Sequence, residues 1–82
     1  MSTVTFEFHG QLLRLAGAAE LALPLAAPAT LADALERLSA TRPELAAALV
    51  RCACAIGDRL VLRREPLRGG ERIALLPPVA GG

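Results

Sequence analysis

Near the start of the chain, Val4, Phe6 and Phe8 alternate with Thr3, Thr5, Glu7 and His9. A period of two gives an extended strand one apolar face. Gly10 ends the alternation. Gln11 to Ala16 then has room for a short helical turn, stopped by Gly17, a residue suited to the left-handed position after a helix. Leu21, Leu23 and Leu25 resume the alternation as a second strand, antiparallel to the first. Pro24 within it cannot donate to a ladder, which predicts a sheet edge or a strand end.

From Thr30 the period lengthens. Leu31, Ala34, Leu35 and Leu38 fall at i, i+3, i+4 and i+7, one apolar stripe on a helix, with Asp33, Glu36 and Arg37 facing outward. Thr30 is a good N-cap, and Asp33 three residues on completes a capping box. Arg42-Pro43 ends this helix, and Glu44 to Val50 adds another turn or two. Cys52 to Ile56 reads as a strand, Gly57-Asp58 as a two-residue turn, and Arg59 to Leu62 as the hairpin partner. Pro66 to Glu71 reads as a loop. Arg72 to Leu76 is the last strand, with Ile73 and Leu75 on one face and Ala74 and Leu76 on the other. Only one of these helices is long enough to cover a sheet. The economical α+β arrangement wraps a mixed sheet around it, with the first and last strands central and parallel. That is a β-grasp, or ubiquitin-like, roll over residues 1–76, followed by an extended, flexible tail over residues 77–82.

Composition narrows the function. The 82 residues make one domain, and 17 Ala inflate the 54% hydrophobic content. Phe6 and Phe8 are the only aromatics, so no stacking platform for single-stranded nucleic acid exists. All nine basic residues are Arg, which excludes a phosphate-loop lysine, a Schiff-base lysine and a lysine acceptor on this chain. A net charge of +1 argues against bulk affinity for nucleic acid or anionic membranes, although six of the nine Arg lie after position 50. Met1 to Thr5 does not open like a secretion signal, and Arg14, Gly17, Glu20, Pro24 and Pro28 break the Leu/Ala-rich stretch. With two cysteines, the expected setting is the reducing cytoplasm.

The candidate chemistry lies at the end of the sequence. Pro77 and Pro78 cannot extend the ladder and eject the chain on an extended path, from which Val79 to Gly82 can reach about 13 Å. Gly81 and Gly82 can thread a channel too narrow for a Cβ, presenting the α-carboxylate of Gly82. A carboxylate is inert to nucleophiles until it becomes an acyl-adenylate or thioester. That requires ATP and a partner, since no phosphate-binding loop is present and Gly69-Gly70 reads as a turn.

The segment Pro66-Leu67-Arg68-Gly69-Gly70-Glu71-Arg72-Ile73-Ala74-Leu75-Leu76-Pro77-Pro78-Val79-Ala80-Gly81-Gly82 resembles the C-terminus of the small, sulfur-carrying subunit of molybdopterin synthase. Phe8-His9-Gly10-Gln11-Leu12-Leu13-Arg14-Leu15-Ala16-Gly17 resembles that family's first strand and turn. The wider family includes the thiamin-pathway carrier, which shares the Gly-Gly end. The resemblance implies a non-catalytic carrier that binds no cofactor or metal itself. A ubiquitin-activating-like adenylyltransferase would use ATP and a sulfur donor to convert Gly82 to a thiocarboxylate. The tail (Pro77, Pro78, Val79, Ala80, Gly81, Gly82) would then enter the synthase large subunit and pass sulfur to a cyclic pyranopterin. The alternatives are another thiocarboxylate pathway (thiamin, cysteine or siderophore), a ubiquitin-like protein modifier, or a plain β-grasp interaction module.

Leu62, Leu76 and Val79 are large apolar groups expected to lie in part on the face away from the helix, and Leu76 and Val79 are the preferred partner contacts. Arg63, Arg64, Arg68 and Arg72 read as a solvated face or as docking groups for an acidic patch, with Arg64 and Arg68 chosen for docking. Cys52 and Cys54 lie on one face of a strand and read as core thiols, with a persulfide relay as the alternative. His9 reads as a surface residue at a strand end.

Overall fold

The computed structural model describes residues 2–26 and 28–78. Strand β1 (Ser2–Phe8) pairs antiparallel with β2 (Glu20–Leu25) and parallel with β7 (Arg72–Leu76). On its other side β7 pairs antiparallel with β4 (Ala53–Ile56), which turns at Gly57-Asp58 into β5 (Arg59–Val61). The sheet order is β2-β1-β7-β4-β5. The first and last strands of the sequence are therefore central and parallel, and Pro24 lies on an edge strand, as the pattern predicts. This is a β-grasp fold.

The period-two alternation decides which side of the sheet is buried. Val4, Phe6, Phe8, Leu23, Leu25, Cys54, Val61, Ile73 and Leu75 face one way into the core. The main helix, α2 (Leu31–Thr41), covers them with Leu31, Ala34, Leu35 and Leu38, all buried. Its start is fixed by the expected capping box: the Asp33 amide donates to Thr30 Oγ1 at 3.3 Å, and the Thr30 amide to Asp33 Oδ2 at 2.9 Å. Two further first-turn amides, of Leu31 and Ala32, donate to the carbonyls of Glu65 and Arg63 at 2.9 and 2.8 Å. The segment after β5 thus satisfies helix-end donors that have no intrahelical partner.

Helix α1 (Gln11–Ala16) ends at Gly17 in the left-handed conformation (φ 70°), whose amide donates to the Leu13 carbonyl. After α2, a single 3₁₀ turn (Pro43–Leu45) leads into α3 (Ala46–Arg51). Arg42, at the end of α2, donates to the Ala16 carbonyl and pins α1 to this corner, while Glu44 holds the guanidinium at 2.7 Å.

Three boundaries differ from the sequence expectation. Cys52 is not in a strand; its amide donates to the Ala48 carbonyl at 3.1 Å and closes α3. Leu62 lies beyond β5. The predicted loop after Pro66 begins with β6 (Pro66–Leu67), which pairs with β3 (Ala29–Thr30) in a second, two-residue sheet. Pro66 lacks an amide but sits at the end of the pair, where no donor is needed.

The rest of that loop is tied to the start of β1. Glu71 accepts from the amides of Arg68 and Gly69, both at 2.7 Å, and the Gly70 amide donates to the Thr3 carbonyl at 2.6 Å. Partial burial raises the Glu71 pKa, but these amides outweigh it and hold the carboxyl below its ordinary range.

Candidate functional site

Strand β7 ends at Leu76, and Pro77 and Pro78 carry the chain out of the sheet without amides to donate. Pro77 is half-buried, and its ring lies close over Gly10. A methyl group at Gly10 would stand 3.0 Å from Pro77 Cγ and 3.8 Å from Cδ. Val79, Ala80, Gly81 and Gly82, the expected threading and reacting residues, lie outside the described residues.

The sheet face away from α2 is open. Register carries one row of residues across all five strands: Leu60 beside Ala55, Ala55 beside Ala74, Ala74 beside Glu7, Glu7 beside Glu20. The next row pairs Ala53 with Leu76, and Leu62 follows Val61 on that side. The face therefore divides in two. Toward β5 it is apolar, with Leu60 69% and Leu62 61% exposed around a floor of alanines and a half-buried Leu76. Toward β2 it is ionic: Arg72 bridges Glu7 at 2.8 Å and Glu20 at 2.5 Å. Arg72 has its pKa raised by these two carboxylates, Glu20 first.

The arginines named from the sequence separate. Arg72 belongs to the ionic network. Arg63 donates through Nη2 to the Leu49 and Cys52 carbonyls at 2.6 and 3.1 Å and caps α3. Arg68 lies in the loop before β7, where Ser2 Oγ donates to its carbonyl, at the opposite end of the strand from Pro77. Arg64 is exposed, two positions past Leu62; neither it nor Arg68 forms an ion pair among the described residues. Leu76 and Leu62 do share the face next to the tail root. Leu60 was not singled out by sequence, although its alternation with Val61 in a three-residue strand carries the signal.

Cys52 and Cys54 are both buried and free. Cys52 Sγ donates to the Leu49 carbonyl at 3.3 Å. The Cys54 thiol, donating to Cys52, draws the Cys52 pKa down to about 7 against the effect of burial, with Arg63 nearby assisting. The same contact, burial and the Cys52 charge push Cys54 up. His9 is exposed, 3.9 Å from Glu7. Among the described residues no three potential metal ligands gather, and no helix is long and apolar enough to cross a membrane.

The chain matches the ThiS family over residues 6–82. No curated protein matches it in sequence. Among solved structures it is similar to small archaeal modifier protein 1 (SAMP1) from Haloferax volcanii, with TM-score 0.88, 23% identity, and 98% of this chain and 99% of that chain covered. SAMP1 from Methanosarcina acetivorans gives 0.81 at 23% identity, covering 100% and 98%. A complex of subunits 1 and 2 of the molybdopterin-converting factor from Helicobacter pylori 26695 gives 0.68 at 28%, covering 98% and 99%.

Proposed function

The chain belongs to the ThiS family of small, ubiquitin-like sulfur carriers, and from that premise we propose that it carries sulfur on Gly82 for molybdopterin assembly. The observation that carries this reading is the end of β7: a strand fixed at the centre of the sheet runs straight into Pro77-Pro78, ahead of Val79-Ala80-Gly81-Gly82. The similarity to a two-subunit molybdopterin-converting complex supports the same branch.

The carboxylate of Gly82 attacks the α-phosphate of ATP on a ubiquitin-activating-like adenylyltransferase, releasing pyrophosphate. A persulfide sulfur displaces AMP, and a second thiol cleaves the sulfur–sulfur bond to leave a thiocarboxylate. Its sulfur is a better nucleophile at neutral pH than the carboxylate oxygen it replaces. The tail then enters the large synthase subunit and delivers sulfur to a cyclic pyranopterin, regenerating Gly82. The cytosol supplies the ATP, and docking uses the apolar half of the open face, with Leu76 at its tail side and Val79 and Arg64 as further contacts.

Incubation with the activating enzyme, ATP and a sulfur donor should add one oxygen-to-sulfur exchange to the intact mass, and removal of Gly82 should abolish it. A truncated chain that still gains sulfur would sink the assignment. A second reading, a protein modifier joined through Gly82 to lysines of other proteins, is supported by the likeness to the two archaeal modifier structures. Lysine-linked adducts in cells, with no sulfur delivered to pyranopterin, would favour it.

A further inference from the structure

Strands β1 and β7 run parallel and in step, Phe8 beside Leu75. Two residues past each partner stand Gly10 and Pro77, and these are the two that touch. We propose that Gly10 is a positioning residue for the C-terminal segment: its bare Cα forms the seat on which the Pro77 ring sets the point and angle of exit from the sheet.

The seat is built and held. Gly10 has φ +58° and ψ −135°, a backbone that essentially only glycine adopts, and a Cβ there would come within 3.0 Å of the Pro77 ring. The turn around it is closed by Leu12 donating to the His9 carbonyl and Leu13 to the Gly10 carbonyl, both at 3.1 Å. At the far end of α1, Arg42 grips the Ala16 carbonyl. Pro77 supplies the other half, because its ring removes one backbone rotation at the exit. A chain that must place its last residue in a partner's active site gains from a fixed starting direction, since misplacement by about 1 Å can cost about a hundredfold in rate.

This inference rests on the sulfur-carrier reading for its purpose, but the contact can be tested without it. Gly17 (φ +70°, ψ 17°) and Gly57 (φ +63°) also have positive φ, but with nothing within 4 Å of an added Cβ. Gly17→Ala and Gly57→Ala therefore impose positive-φ strain alone, whereas Gly10→Ala adds a glycine-only ψ and the collision with Pro77. All three variants should lose thermal stability, Gly10→Ala the most. Only Gly10→Ala should also shift the backbone amide signals of Leu76 and of residues 79–82, and raise KM for adenylation about tenfold with a smaller change in kcat. Combining Gly10→Ala with Pro77→Ala removes the ring that the methyl strikes, so in amide signals and KM, though not in stability, the double variant should be no worse than Pro77→Ala alone. The seat is overturned if Gly10→Ala matches Gly17→Ala in both amide signals and KM, or if the Gly10 and Pro77 effects add independently. If the unaltered chain is never adenylated, the carrier reading fails instead, and the amide signals alone decide the seat.

Discussion

Gly69 and Gly70 are neighbours in one turn, but their surroundings differ. Gly69 (φ +113°) lies so close to β1 that an added Cβ would overlap Cβ and Oγ of Ser2, while Gly70 (φ +84°) faces open space. Gly69→Ala should cost about 2–3 kcal/mol and Gly70→Ala about 1 kcal/mol, read from denaturant midpoints, with Ser2→Gly recovering part of the first loss. The turn itself is legible in the sequence; its lock onto a residue 67 positions earlier is not, because no local pattern encodes that approach. The cysteines show the same division. Period two assigned them to the core, and both are buried, but their inequality arises from tertiary neighbours. With its pKa near 7, Cys52 gains thiolate as pH rises through neutrality, while Cys54 stays protonated. Because both thiols are buried, iodoacetamide labelling read by mass spectrometry should be slow in the folded chain at neutral pH and rise to the rate of a free cysteine in denaturant.

At the scale of elements, what was legible is what a run of residues encodes by itself. Helix α2 was readable at both ends: Thr30 and Asp33 form their reciprocal cap, and Arg42-Pro43 closes the helix. Thr30→Ala should lower stability by about 1 kcal/mol, measured by thermal melting, with the helix content of the folded state retained. The pairing of β3 with β6 was not legible, since two residues have no periodicity and Pro66 argues against a strand. Cys52 reads from the sequence as the start of β4; the helix of Ala46–Arg51 before it runs one residue past the expected Val50 and takes its amide. The carbonyls of Arg63 and Glu65 that complete the start of α2 were likewise hidden, lying some 30 residues downstream of the amides they accept.

For the whole molecule, topology decides what the tail is surrounded by. The sequence offers Leu62, Leu76 and Val79 as apolar groups for the outer face, with Leu76 and Val79 preferred for docking, but only sheet register separates the apolar half beside β5 from the Arg72–Glu7–Glu20 network beside β2. It also takes Arg68 to the end of β7 away from Pro77. Leu60→Asp combined with Leu62→Asp should leave stability within about 0.5 kcal/mol, as exposed substitutions do. It should lower kcat/KM for thiocarboxylate formation at least tenfold; unchanged kinetics would remove this face from the docking reading. The central place of β7 has one more consequence. The β1–β2 and β4–β5 hairpins are each local, but they have no hydrogen bonds to one another in the sheet and meet only through β7. The two hairpins therefore join into one sheet only when β7 docks in the slot between them, a non-local closure of the kind that slows folding. The segment that fills the slot is the one that leads into Pro77 and beyond. On the proposed reading, presentation of Gly82 is thereby tied to completion of the sheet, and an activating enzyme that docks on the open face would select carriers whose folding is finished.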